Sequence, residues 1–179
     1  MVIEGPTIAD NVRQRPITHV GLTVPDLEAA VEWYGKVLGY RPLAPPGELR
    51  AGDGLHGMIA RDLWKARFTS AKMAHLGSAE GGVLELFEFA TPEAVAAGQF
   101  EYWRVGWSHI CVVDTEIEEL VSTIVAHGGS QISEIWTLFE GLPYRMVYTT
   151  DPWGTVVEIY THSHIETYGG ERTTDSNQI

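Results

Sequence analysis

Two stretches of this chain, 109 − 19 = 90 positions apart, follow one plan, and that repetition constrains the fold more than any other feature. The first, Pro16 to Leu38, reads PITHVGLTVPDLEAAVEWYGKVL, and the second opens with WSHICVV at Trp107. Each is a strand-like run carrying one histidine, His19 or His109, followed by an amphipathic helix. In the first copy Val20, Leu22 and Val24 share one parity of the strand, while Ile17, His19, Gly21 and Thr23 share the other. His19 therefore leaves the sheet on the face opposite the aliphatic stripe. Asp26 is placed to cap the helix, and Leu27, Val31, Tyr34 and Leu38 form an apolar face that can cover the aliphatic side. The histidine is left facing the side on which a pocket can form.

The repeat continues at the end of each copy. Val83 to Phe89 alternates, with Val83, Glu85, Phe87 and Phe89 on one face and Leu84, Leu86 and Glu88 on the other. VLELF, Val83 to Phe87, matches VVEIY, Val156 to Tyr160, with a glutamate in the middle of each. His19 to Glu85 spans 66 positions and His109 to Glu158 spans 49, so the first copy carries about seventeen extra residues, assigned to Glu48 to Gly82.

The fold class that follows is α+β, with two βαβββ modules forming a cupped mixed sheet. The boundaries expected are an arm at 1–15, a first module at 16–93 with an insertion near 48–80, a linker at 94–104, a second module at 105–162 and a polar tail at 163–179. Strands are expected at Tyr40 to Leu43, Ile132 to Leu138, Tyr144 to Thr150 and Thr155 to Thr161, with a helix or flap in the insertion. Thr115 and Glu118 have the spacing of a capping box for the second helix.

An internal pseudo-twofold would bring His19, Glu85, His109 and Glu158 together. Two imidazoles and two carboxylates suit a divalent first-row metal with room for two waters or a bidentate substrate. Glu88 has the wrong parity and is expected in solvent. His56 and His75 lie in the insertion and are read as ordinary loop histidines ahead of the alternative, contacts to a metal ligand or to substrate; His127 is read as a helix-end cation, and His162 and His164 as tail residues. Cys111 shares the parity of His109 but reads as a small buried hydrophobe; Tyr144, Tyr148 and Tyr160 read as core more readily than as acids or substrate contacts.

Charge narrows the partners. Twenty-four acidic against twelve basic residues give −12, which disfavours nucleic acid and anionic membranes. The single cysteine excludes an intramolecular disulfide framework. No apolar run approaches the roughly eighteen residues of a membrane span, and the N-terminus lacks a signal-like core, so a cytoplasmic protein is expected.

The segments ITHVGLTVPDLEAAVEWYGKVLGY, GGVLELFEF, WSHICVVD and DPWGTVVEIY resemble the vicinal oxygen chelate superfamily, over residues 16 to 162. That group includes glyoxalase I, methylmalonyl-CoA epimerase, extradiol ring-cleaving dioxygenases and fosfomycin or bleomycin resistance proteins. The resemblance implies paired modules around one divalent ion (Zn, Co, Ni, Mn or Fe) at His19, Glu85, His109 and Glu158, with Glu85 and Glu158 as catalytic candidates. It also implies a small-molecule substrate and a homodimer. Four protein ligands point to isomerase, epimerase or lyase chemistry next to a carbonyl. A dioxygenase on His19, His109 and Glu158 is the first alternative, and a drug-binding resistance protein without catalysis is the second. Trp64, Phe68, Trp103, Trp107, Trp136 and Phe139 suggest an apolar or aromatic substrate.

Overall fold

The structure, a computed structural model, describes residues 13, 15–95 and 101–169. Most of the N-terminal arm expected at 1–15 and part of the linker expected at 94–104 therefore lie outside the described residues. The elements run β1 (His19–Thr23), α1 (Leu27–Leu38), β2 (Arg41–Pro42), β3 (Gly47–Arg50), α2 (Gly54–Trp64), β4 (Ser70–Gly77) and β5 (Val83–Thr91). Then follow β6 (Ile110–Val113), α3 (Ile117–Ala126), β7 (Ser130–Gln131), β8 (Trp136–Thr137), β9 (Arg145–Thr150), β10 (Val156–Tyr160) and α4 (His164–Tyr168). Among these, no helix is long and apolar enough to cross a membrane.

The fold is α+β, with two five-stranded mixed sheets of identical design. One is ordered β1-β5-β4-β2 with β3 also on β4; the other is β6-β10-β9-β7 with β8 also on β9. The first strand pairs in parallel with the last in both sheets, β1 with β5 and β6 with β10, and the remaining pairs are antiparallel. A parallel pair needs a crossover, which α1 and α3 supply.

Strand parity decides which face each helix covers. Leu84 and Leu86 are buried with Leu27, Ala30, Tyr34 and Val37 of α1, and the same core continues into Ile117, Leu120, Val121 and Ile124 of α3. Each such side chain contributes roughly 1.5–3 kcal/mol on burial. Polar ties cross the same boundary: the Trp33 indole donates to the His127 carbonyl at 3.0 Å, and the Tyr34 hydroxyl donates to Asp151 at 2.8 Å. The helices thus join the two halves on one face and leave the other face free.

On that free face the first half carries an addition. Helix α2 lies over Leu49, Ala71, Phe87 and Phe89, with Trp64 and Phe68 in the same cluster. Gly57 permits this close approach, because a Cβ there would sit 2.1 Å from the Arg50 carbonyl oxygen.

Several local expectations are corrected. Thr115 and Glu118 form no capping box; Glu116 is the N-cap of α3 without a side-chain cap bond, and Glu118 is ion-paired with Arg145. The capping box occurs instead at Ser163 and Glu166, starting α4 inside the segment read as a polar tail. Ile132 to Leu138 holds only the two-residue β8. Glu88 is not simply solvated: it accepts from the Leu27 amide at 2.7 Å at the start of α1 and pairs with Lys72. A carboxylate on the helix side of the sheet is positioned to bind the exposed amides of a helix N-terminus.

Candidate metal centre

His19 opens β1 and His109 immediately precedes β6, so the two occupy equivalent places at the edges of the two sheets. Both border one cleft of about 350 Å³, whose other lining residues include Gly21, Trp107, Ser108 and Thr155. The residue before each histidine carries a hydroxyl on its Nδ1: Thr18 Oγ1 lies 3.2 Å from His19 Nδ1, and Ser108 Oγ lies 2.8 Å from His109 Nδ1. Engaging Nδ1 leaves Nε2 as the nitrogen facing the carboxylates.

The carboxylates arrive by strand register. Glu85 stands beside Gly21 of β1 and opposite His75 of β4, and Glu158 stands beside Cys111 of β6 and opposite Tyr148 of β9. His109 Nε2 is 3.0 Å from Glu158, whereas His19 Nε2 is 3.8 Å from Glu85. The four residues singled out by the repeat are therefore brought together as two histidine–glutamate pairs. Among the described residues, no three His, Cys, Asp or Glu are gathered closely enough to hold a metal ion.

The two pairs differ in their surroundings. The Glu158 side chain is 4% exposed, and among the described residues no Lys or Arg pairs with it. Burying a carboxylate costs several kcal/mol unless it is compensated. Here the compensation comes from His109, with Tyr148 and Cys111 level with Glu158 on the two flanking strands. Both neighbours respond. Burial, then the bond to Glu158, raises Tyr148 above the usual tyrosine range. Cys111 is reachable from solvent, yet desolvation by the surrounding walls and the charge of Glu158 push its thiol up to about 12.

Glu85 is more open, at 24%, and its Oε1 lies 3.0 Å from His75 Nε2. Gly21 adds no side chain on its other flank.

Sequence reasoning favoured a loop position for this histidine. His75 is no loop residue but a member of β4, and the signal was present: His75 to Glu85 is ten positions, and Tyr148 to Glu158 is also ten. Cys111 and Tyr148 were likewise read as core and instead face Glu158. His162 and His164 separate as expected, the first against Tyr144 and the second against Tyr160. His56 lies on α2, and the His127 imidazole bonds the Thr123 carbonyl at the end of α3.

The aromatic residues are mostly engaged elsewhere. Trp64, Phe68, Phe87 and Phe89 make edge and tilted contacts with one another beneath α2, and Phe139 packs on Tyr144 and Tyr168. Trp107 alone of the six suggested residues borders the histidine cleft.

A profile of the Glyoxalase/Bleomycin resistance protein/Dioxygenase superfamily matches residues 16–159. The chain belongs to this superfamily. It is similar to a 2-epi-5-epi-valiolone epimerase from an Actinomyces species, 28% identical over 147 residues covering 80% of this chain and 77% of that protein. Among solved structures, a glyoxalase family protein from Bacillus cereus aligns with a TM-score of 0.70 at 18% identity, covering 86% of this chain and 97% of that one. The fosfomycin resistance protein FosX from Listeria monocytogenes, solved with Mn(II) and sulfate, aligns at 0.55 with 15% identity, covering 87% and 98%. These likenesses of structure establish the fold shared across the superfamily.

The donor set suits a divalent ion in kind: two imidazole Nε2 atoms with their Nδ1 partners supplied, and two carboxylates on the same cleft side of the sheets.

Proposed function

We propose that this chain is a divalent-metal-dependent epimerase or related isomerase, moving a proton on the carbon next to the carbonyl of a small ketone. The observation that carries this reading is the presence of a carboxylate in each half, Glu85 and Glu158, each beside a histidine of a shared cleft. The similarity to an epimerase, whose substrate is a ketone by its name, supports the same class. His19, Glu85, His109 and Glu158 would hold a divalent ion, which would supply Lewis-acid polarisation of the carbonyl and so make the adjacent C–H more acidic.

The chain's own residues do the rest. His19 and His109 bind, with Thr18 and Ser108 fixing the imidazole orientation. Epimerisation needs a proton removed from one side of a carbon and returned to the other, and carboxylates on two sheets provide two such groups. Positioned proton transfer of this kind contributes typically about 10²–10⁴ in rate. Trp107 gives one apolar wall, and Thr155 adds a hydroxyl for a substrate oxygen.

One observation favours a second reading. The bond between Glu85 and His75 would leave His19, His109 and Glu158 as a three-ligand set, the arrangement of a ring-cleaving dioxygenase. The test is incubation with small ketones in deuterium oxide, with and without oxygen. The proposal expects oxygen-independent loss of the α-proton signal, abolished by Glu85→Gln or Glu158→Gln. Oxygen consumption with a catechol would establish the dioxygenase instead, and tight binding without exchange or turnover would leave a binding protein.

A further inference from the structure

We propose that His75 is a positioning residue, which fixes Glu85 so that one particular carboxylate oxygen faces the cleft. The inference rests on the reading of Glu85 as a metal ligand and adds a residue which that reading does not contain.

The register makes the assignment. On the flanking strands the residues level with Glu85 are Gly21 and His75. Gly21 has nothing to offer: even a Cβ built there would lie 3.9 Å from Glu85 Oε2. His75 Nε2 lies 3.0 Å from Oε1 and commits that oxygen, so that Oε2 is the one presented toward His19 at 3.8 Å. A glutamate side chain held at its backbone alone samples several rotamers, and a hydrogen bond from a rigid neighbouring strand selects one.

The second half supports the same logic with different chemistry. Tyr148 stands at the position of His75, and Cys111 at the position of Gly21, so Glu158 has a polar side chain level with it on both flanking strands. Glu158 is thus flanked on both sides and buried, whereas Glu85 has a side chain on one flank only and is open. Orientation of Glu85 depends on a single side chain.

The experiment is Co(II) affinity, measured by competition with a chelator, on the full chain. Compared are the wild type, His75→Phe, His75→Gln, Glu85→Ala and the double variant His75→Phe with Glu85→Ala. Phe keeps ring volume without a donor, and Gln restores an N–H near the place of Nε2. Loss of such a ligand-orienting bond typically weakens metal binding about 10–100-fold. The expected result is that loss in His75→Phe at unchanged stoichiometry, recovery of most of it in His75→Gln, and no further loss from His75→Phe once Glu85 is Ala. Thermal melting checks folding, and His75→Gln alone retains the comparison should His75→Phe not fold, since Gln must then stay near wild type. His75→Phe binding as tightly as wild type would overturn the role of His75 and leave the metal reading standing, as would equal losses with Glu85 present or absent. A wild type that binds no Co(II) would overturn both, and one that binds it equally well as Glu85→Ala would remove Glu85 from the ligand set and this inference with it.

Discussion

Tyr34 on α1 and Asp151 in the turn before β10, 117 positions apart, meet in the core through a hydrogen bond of 2.8 Å. Asp151 also accepts from the amides of Trp153 and Thr155, so one buried carboxylate ties the helix of the first half to the hairpin that delivers Glu158. Burial, then the charge of Asp151, raises the Tyr34 hydroxyl far above its ordinary range, and it remains a donor at all working pH values. Tyr34→Phe leaves one Asp151 oxygen short of a partner and is expected to cost about 1–3 kcal/mol in urea unfolding. A variant as stable as wild type would show that the bond does not join the halves.

Cys111 is reachable, yet its thiol near 12 leaves only about one part in 10⁴ ionised at pH 8. Alkylation by iodoacetamide at that pH should run about a thousandfold slower than that of free cysteine, whose thiol ionises near 8.5. Glu158→Gln removes the adjacent charge and should accelerate it. Labelling at the rate of a free thiol would mean that the surrounding walls do not desolvate Cys111.

Helix α2 approaches β3 at Gly57 with no room for a methyl group. Gly57→Ala must push the helix off the sheet or distort it, at roughly 1–3 kcal/mol despite the better helix propensity of alanine. Chemical denaturation measures this directly, and a stabilised variant would place α2 farther from β3 than described.

The Arg145 guanidinium beside Glu118 holds that carboxyl below the usual range. A depressed carboxylate stabilises the fold above its unfolded value, about 4.3, and loses that contribution as the pH falls through the lower folded value. The stability difference between wild type and Glu118→Gln should therefore be present at pH 6 and vanish on acidification. The pair is exposed, so the difference is small. A gap that widened in acid would reverse the sign argued here.

The repeat made the architecture legible because hydrophobic parity and helix patterning recur in both copies: Leu84 and Leu86 went to the core, and His19 and Glu85 to the opposite face. It failed where patterning was diluted. Strand β4 reads SAKMAHLG, and its small alanines gave no clear alternation, so His75 was lost with it although its ten-residue offset from Glu85 matches that of Tyr148 from Glu158. Glu88 was misjudged for another reason: parity says which face a carboxylate takes, not that a helix N-terminus awaits it there. Of the aromatic residues counted as pocket walls, Trp64 and Phe68 do line a cavity of about 460 Å³ beneath α2, but one apart from the histidine cleft, and composition alone cannot say which cavity an aromatic lines.

The central claim is that His19, Glu85, His109 and Glu158 serve one divalent ion. Its most direct test is metal content per chain by plasma mass spectrometry after incubation with Mn(II), Co(II) and Zn(II) and removal of excess, on wild type, His109→Ala and Glu85→Ala. The account predicts one ion per chain in the wild type and loss of most of it in both variants. A wild type that retains no ion would contradict the account outright, and full retention by Glu85→Ala alone would reduce the ligands to His19, His109 and Glu158.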